Sequence, residues 1–417
     1  LTGAPGVVIV GAGQAGFQCA ASLREEEFSG AVTLIGGEPG LPYQRPPLSK
    51  NFLQEALSPE SLDFRPARFF AERRIVRLEA MVRAIDRDAR CVVFGDGTPA
   101  LPYDTLVLAT GATNRALAVP GAADLGAAGL RTRAEALVLR AALAKAKSLA
   151  IIGAGFIGCE VAASAVARGV NVTVIEAAPR ALGRAVSAET ASALTALLRA
   201  AGIIFHFDAT VARIAESGHL VGLADGRAVR ADLVLVAIGV EPATKLAAAA
   251  GLSCADGILT NADFVTTDPS VFAIGDCVRA PLPFAGYSIR LESVQNATDQ
   301  ARHVAAFLQG RDAMYDKVPW FWSDQGRWRL QIAGLAEGCD RFIADGSPER
   351  GGLTVYGYNA GKLRVVETIN RPADHMAARK LLAAGISPDP GAITEGFSLR
   401  DFASFALPSS TRASGTV

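Results

Sequence analysis

Only six of the 417 residues are cysteine and four are histidine. The cysteines stand at 19, 91, 159, 254, 277 and 339, no two closer than 23 residues. That spacing excludes a CxxC zinc clip and a local redox disulfide. Histidines 206, 219, 303 and 375 form no close ligand pair either, so no internal iron or zinc centre is expected. Net charge is also missing: 41 Lys plus Arg balance 41 Asp plus Glu, which argues against a chain devoted to nucleic acid. The first charged residue is Arg24, but the run before it has no basic start and carries five glycines. A signal peptide or membrane span does not read that way. Scattered single thiols suit a reducing compartment, and a cytoplasmic protein without membrane or nucleic-acid contacts is the expectation.

What is present is apolar material and glycine. Half the residues are hydrophobic and 20% are charged, ample for a packed core and unlike a disordered chain. The length is two to three times a usual domain, so several domains are expected. The 42 glycines cluster informatively. Val7-Val8-Ile9-Val10 is a short β-branched run, as for a strand buried on both faces, and Gly11-Ala12-Gly13-Gln14-Ala15-Gly16 follows before a helix-forming stretch to Arg24. The first glycine allows the tight turn, the second lets a pyrophosphate approach the backbone, and the third lets helix and strand pack closely. The anion then lies at a helix N-terminus.

The device recurs. Ala150-Ile151-Ile152 leads into Gly153-Ala154-Gly155-Phe156-Ile157-Gly158 and a helix to Arg168. The next strand, Val172-Thr173-Val174-Ile175, ends in Glu176, 23 residues past Gly153, the spacing at which an acidic side chain accepts hydrogen bonds from an adenosine ribose. In the first copy the strand Val32-Thr33-Leu34-Ile35 ends in Gly36, and the acidic residue comes two later, at Glu38. Each module closes alike: Leu106-Val107-Leu108-Ala109-Thr110-Gly111 in the first, Leu235-Val236-Ala237-Ile238-Gly239 in the second. Two dinucleotide sites imply two dinucleotides, a tightly held flavin and an exchangeable nicotinamide being the economical pair.

With these turns, the segments Pro42 to Lys50, Phe272 to Asp276, Leu291 to Ala297 and Pro319 to Gln325 complete a pattern. The chain resembles the FAD-dependent ferredoxin reductases of bacterial cytochrome P450 and aromatic-ring dioxygenase systems, of the putidaredoxin reductase and rhodocoxin reductase type. The resemblance implies an α/β, glutathione-reductase-like fold with two Rossmann-type domains and a C-terminal α+β domain. It places an FAD domain at residues 1–112 and 243–318, an inserted NADH domain at 113–242, and a C-terminal domain completing the flavin site at 319–417. The last ten or so residues are expected to be disordered.

The resemblance also assigns residues. FAD binding falls to Gly11, Gly13, Gln14, Ala15, Gly16, Glu38, Arg45, Lys50, Ala109, Thr110, Gly111, Gly275, Asp276, Glu292, Ser293, Val294, Trp320 and Trp322. NADH binding falls to Gly153, Gly155, Phe156, Ile157, Gly158, Glu160, Glu176, Arg184 and Gly239. Lys50, Glu160 and Trp322 carry the catalytic assignment. In the family the lysine lies near the flavin edge that receives hydride, partnered by a glutamate that maps to Glu160. From the residues alone, Lys50 reads equally as a loop lysine and Glu160 as a helix-start glutamate. Trp320-Phe321-Trp322 reads as an aromatic exit beside the flavin or as an ordinary core strand; alternation puts both tryptophans on one face and Phe321 on the other.

Charge favours NADH over NADPH. A carboxylate about 4 Å from a 2′-phosphate is repelled by about 1 kcal/mol per unit charge in water and about 4 at an effective dielectric of 20. Arg180 and Arg184 are open to two roles, holding a 2′-phosphate or touching the NADH pyrophosphate. Relatives on this fold that reduce disulfides or peroxide use cysteines after the first glycine turn or where this chain reads Pro47-Leu48-Ser49. A serine hydroxyl cannot replace a thiolate, and Cys19 and Cys159 read as small packing residues. Electrons then leave directly from the flavin to an external acceptor, a [2Fe–2S] ferredoxin met transiently. Family ferredoxins are acidic, so the run Arg65, Arg68, Arg73, Arg74 and Arg77 reads either as a docking patch or as a solvated helix face. The rival activities are reduction of rubredoxin, a quinone or monodehydroascorbate on the same scaffold, or an NADH-responsive flavoprotein like apoptosis-inducing factor.

Overall fold

The computed structural model describes residues 6–95, 97–125, 129–183, 185–311, 314–394 and 396–408. The tail expected to be disordered lies almost wholly outside them. The chain divides into two compact units, one of residues 1–44, 59–113 and 240–317, the other of 45–58, 114–239 and 318–417.

The first unit is built on a parallel sheet whose strands run in the order 271–273, 105–108, 7–10, 32–36 and 75–79. Val7–Val10 sits in the centre, in register with Val32–Ile35 on one side and Thr105–Leu108 on the other. All four of its residues are buried, as strands covered on both faces require. The helix Gln14–Glu25 packs on the helix Val294–Phe307. Its Phe17 ring stacks on Phe64 at 4.5 Å.

The arginine run is not one helix face. Arg68 lies in the short helix Ala67–Glu72 and Arg77 on the strand Ile75–Glu79, and the Arg77 guanidinium covers the Phe70 ring at 5.0 Å. Arg65, Arg68, Arg73 and Arg74 are exposed.

The second unit repeats the parallel theme in the order 204–206, 171–175, 148–152 and 233–236. Ile151 pairs with Val174 and Leu235. Beneath one face a small antiparallel sheet, 211–215, 220–223 and 228–230, adds Ile214, Val221 and Leu223 to a core with Ile152, Ile175 and Val234. The C-terminal part is an antiparallel sheet ordered 320–325, 328–334, 362–369, 352–359 and 341–347, with the helix Pro372–Ala383 on one face. Residues 45–58, which sequence places in the first FAD piece, group with this unit. The Arg140 guanidinium lies 4.4 Å over Phe52, and Arg168 donates to the Leu53 carbonyl. Among the described residues, no helix is long and apolar enough to cross a membrane.

Candidate functional site

Both glycine turns have the steric form that pyrophosphate binding needs. Gly11 and Gly153 adopt φ of +112° and +104°, and a Cβ on either would lie 2.1 or 2.4 Å from the carbonyl oxygen of Ala109 or Ala237. Only glycine tolerates both conditions. A Cβ on Gly16 or Gly158 would sit 1.8 or 2.1 Å from the carbonyl of the turn's first glycine. Around Gly13 and Gly155 nothing lies within 4 Å. These two glycines are the N-caps of the helices Gln14–Glu25 and Phe156–Ala167, and neither offers a capping side chain. Open space at a helix N-terminus suits a phosphate.

Within the first unit, other expected residues gather at this turn. Gly275 approaches Ala15 so closely that a Cβ there would be 2.9 Å from the alanine methyl, and its N–H donates to Gln300 Oε1 at 2.7 Å. Asp276 follows in the same turn. Gln14 Nε2 donates to Thr298 Oγ1 at 3.1 Å. Ser293 caps the helix beginning at Val294, accepting from the Asn296 N–H at 3.0 Å. Glu292 is paired with Arg290. Thr110 Oγ1 donates to the Ala243 carbonyl at 2.7 Å, with Ala109 and Gly111 on either side. Glu38 stands just past its strand and accepts from the Tyr43 hydroxyl.

In the second unit, Glu176 is held at both oxygens. It accepts the Ala154 N–H at 2.7 Å and the Ala178 N–H at 2.8 Å, so the carboxylate is fixed beside the glycine turn before any ligand arrives. Arg180 is spent on its own loop, donating to the carbonyls of Gly183, Val186 and Ser187 at 2.9–3.1 Å. Arg184 lies outside the described residues. Gly239 accepts the Arg115 N–H at 3.0 Å. Ile157 is exposed, and the Phe156 ring rests on Phe321 at 4.5 Å.

Lys50 and Glu160, separated by 110 residues, form an ion pair of 2.7 Å. Pro46 and Pro47 begin a short 3-10 turn that sets Lys50, whose ammonium also donates to the Pro46 carbonyl at 3.0 Å. Glu160 is 2% exposed and takes two further donors, the hydroxyls of Ser49 and Ser323, the latter at 2.6 Å. Burying a carboxylate is costly unless such donors replace water. The two serines escaped the sequence reading as site residues. The signal existed for Ser323: strand alternation puts it on the face of Phe321, toward the helix carrying Glu160. Arg45 donates to the Arg131 carbonyl.

The strand Trp320–Gln325 alternates as expected. Trp320 and Trp322 lie together with ring centroids 5.6 Å apart, under the helix Pro372–Ala383. From that helix the Arg379 guanidinium stacks on Trp320 at 4.3 Å and His375 meets it edge-on at 5.8 Å. Burial holds His375 down to about 4, helped by Arg379 and Arg329, so it is neutral at pH 7. The thiols of Cys19 and Cys159 are wholly buried, and burial pushes both up to about 12. Thiol reagents at pH 7 are expected to leave both unmodified in the folded protein; rapid labelling of Cys159 in a peptide map would contradict that. Among the described residues, no three His, Cys, Asp or Glu side chains cluster as a metal site.

Comparison with known proteins agrees with this geometry along the whole chain. Residues 5–301 match the pyridine nucleotide-disulphide oxidoreductase model and residues 320–403 the reductase C-terminal model. Rhodocoxin reductase of Rhodococcus erythropolis is 46% identical over 396 residues, 93% of this chain and 92% of that protein. The crystal structure of the ferredoxin reductase for the CYP199A2 system from Rhodopseudomonas palustris superposes with a TM-score of 0.93 at 45% identity, covering 96% of this chain and all of that one. The reductase of the covalent putidaredoxin reductase–putidaredoxin complex gives 0.92 at 34% identity, covering 99% of this chain and all of that one. The chain belongs to the pyridine nucleotide-disulphide oxidoreductase family and carries a reductase C-terminal domain at residues 320–403.

Proposed function

We propose that this protein is an FAD-dependent NADH:ferredoxin oxidoreductase, passing electrons one at a time to a [2Fe–2S] ferredoxin that supplies a cytochrome P450 or aromatic-ring dioxygenase. The observation that carries the reading is a pair of complete dinucleotide turns in a chain that places Ser49, not a thiol, against the Lys50–Glu160 pair. Ferredoxin reductases similar from end to end support the choice of partner. The free cysteines, none of them bridged among the described residues, fit a cytoplasmic setting.

The residues fit both cofactors. The first turn, with Gly13 open and Gly275–Asp276 beside it, suits the FAD pyrophosphate and ribityl portions; Glu38 and Ala109 to Gly111 belong to the same site, with Glu292, Ser293 and Val294. The second turn, with Gly155 open and Glu176 fixed, suits NADH, with Phe156, Ile157 and Gly239 beside it. On this reading residues 113–242 are the NADH domain. Bound FAD supplies the exchange between two-electron and one-electron transfer.

The chain's own work is positioning and electrostatics. Lys50 is the fixed cation for charge arriving at the reaction centre, and Glu160 holds it there without itself being exposed. Arg45 shares the proline-stiffened segment that limits where Lys50 can go. Trp322 and Trp320, whose rings lie 5.6 Å apart, are the aromatic residues assigned to electron exit. Arg65, Arg68, Arg73 and Arg74 offer an exposed cationic surface that would speed encounter with an acidic partner and make it salt-sensitive.

Turnover with a cognate ferredoxin, a rubredoxin and small quinones, each at matched concentration, tests the reading. Ferredoxin is expected to be the fastest acceptor. A quinone or rubredoxin turning over faster would move the function to a rival on the same scaffold, and slow reduction by NADH with no gain from any acceptor would favour a regulatory flavoprotein. NADH preference has its own test. With Arg180 occupied by carbonyls, Glu176 dominates the ribose end, so Glu176→Ala is expected to weaken NADH and narrow its advantage over NADPH by about tenfold, the scale of a single charge contact. An unchanged NADH/NADPH ratio of kcat/KM would refute the ribose role.

A further inference from the structure

Glu367 is a buried acid with no part in the site described above. It lies on the strand Lys362–Ile369 of the C-terminal sheet, 1% exposed, between Ile332 and Val355 on the neighbouring strands. Burial raises its carboxyl above the ordinary range, hydrogen bonds from Ser187 and Thr190 oppose the rise, and Glu189 adds to it. Both of its oxygens are used on one residue 180 positions earlier: Oε1 accepts the Ser187 N–H at 2.9 Å and Oε2 the Ser187 hydroxyl at 2.6 Å. Ser187 in turn caps the helix Ala188–Ala200, its Oγ accepting the Thr190 N–H at 3.2 Å. A carboxylate at a helix N-terminus is favourably placed, and a two-point grip on a single residue removes its freedom to shift.

That grip continues toward the second glycine turn. The Ser187 carbonyl accepts from Arg180, whose guanidinium also takes Gly183 and Val186. Between these anchors Leu182 is held at φ +54°, a left-handed conformation costly for leucine, and it is buried. The Leu182 N–H donates to the Ala154 carbonyl at 3.0 Å, while the Ala154 N–H is taken by Glu176 at 2.7 Å. The middle residue of the glycine turn is thus bonded on both sides to the segment that Glu367 anchors. The same face of the C-terminal sheet supplies Ser323 to Glu160, so it grips both helices that flank the second turn.

We propose that Glu367 is a positioning residue for the nicotinamide dinucleotide: by fixing Ser187, and through Arg180 and Leu182, it holds Glu176 and the Ala154 turn in the ligand-ready arrangement. The inference rests on the reading that this turn and Glu176 bind the adenosine half of NADH. Released from Glu367, the strained Leu182 has a conformation to relax into, and binding must then reform the loop, which weakens affinity without touching the chemical step.

The test uses the purified FAD-containing protein and its Glu367→Gln, Glu367→Ala and Ser187→Ala variants. Calorimetry with ADP-ribose, which lacks nicotinamide, measures the adenosine half alone, and steady-state reduction of ferricyanide gives KM for NADH and kcat. Glu367→Ala is expected to weaken ADP-ribose binding and raise KM about tenfold with kcat within twofold, and Glu367→Gln, which keeps one acceptor, to fall between. The double variant Glu367→Ala/Ser187→Ala should lose less than the sum of the two single variants, because both remove the bond between the Ser187 hydroxyl and Glu367. The proposal is overturned if KM and ADP-ribose affinity stay within twofold in folded Glu367→Gln and Glu367→Ala, if kcat falls as far as KM rises, or if the two substitutions add fully. Wild-type protein that binds no ADP-ribose would defeat the dinucleotide reading itself, and the inference with it.

Discussion

Gly13→Ala is expected to yield a folded protein that binds FAD about 5- to 150-fold more weakly. The position has φ −76° and ψ −164°, which alanine adopts without strain, and nothing lies within 4 Å of the added methyl. The fold has no reason to object. The methyl instead fills the space through which a pyrophosphate approaches the amides, and overpacking there costs about 1–3 kcal/mol, roughly 5- to 150-fold in affinity. Gly16→Ala is the contrasting control. Its Cβ would lie 1.8 Å from the Gly11 carbonyl, and Gly11 cannot yield because its N–H is bonded to the Ile35 carbonyl at 2.8 Å. The helix must lift from the sheet, so Gly16→Ala should lose both fold and flavin. Far-ultraviolet circular dichroism and flavin absorbance after reconstitution separate the two cases. A yellow Gly13→Ala protein with native FAD affinity would remove the first turn as the flavin site.

Glu160→Ala is expected to lose more stability than Lys50→Met, the other half of the pair. It deprives a nearly buried ammonium of its counter-charge and leaves the hydroxyls of Ser49 and Ser323 without the acceptor they share. Breaking a buried pair from one side typically costs about 3–5 kcal/mol. Lys50→Met should cost less, because Glu160 retains two hydroxyl donors and the methionine stem fills the lysine's space. Turnover should show the reverse emphasis, with Lys50→Met folded but slow, if the cation serves the reaction. Thermal unfolding of the three FAD-loaded proteins, beside kcat with ferredoxin, checks both halves. A Lys50→Met enzyme with native kcat would reduce the pair to a structural strut, and a Glu160→Ala protein with unchanged thermal midpoint would show the pair is not buried in solution.

Much of the site was legible from local sequence. A strand, three glycines and a helix between Val7 and Glu25 leave little conformational choice, and the steric reason for glycine is visible in the clashes around Gly11 and Gly16 and the open space at Gly13. The same holds for Gly153, Gly155 and Gly158. Strand alternation, another short-range rule, correctly separated Phe321 from the two tryptophans. The arginine run was read less well, because a charge pattern does not reveal that the backbone passes from helix to strand between Arg68 and Arg77. Arg180 was left open to two ligand roles, and the structure gives it a third, stapling its own loop.

The chain's order of residues thus determined the two glycine turns, the strand and helix on either side of each, and the serine at position 49, since all of these depend on a few neighbouring residues. Tertiary structure alone decided which distant side chains meet: Lys50 with Glu160, Ser323 with Glu160, and Glu367 with Ser187. Partners more than 100 residues apart are chosen by the path of the folded backbone. Their buried polar groups are tolerated because that path also brings the partners that replace water.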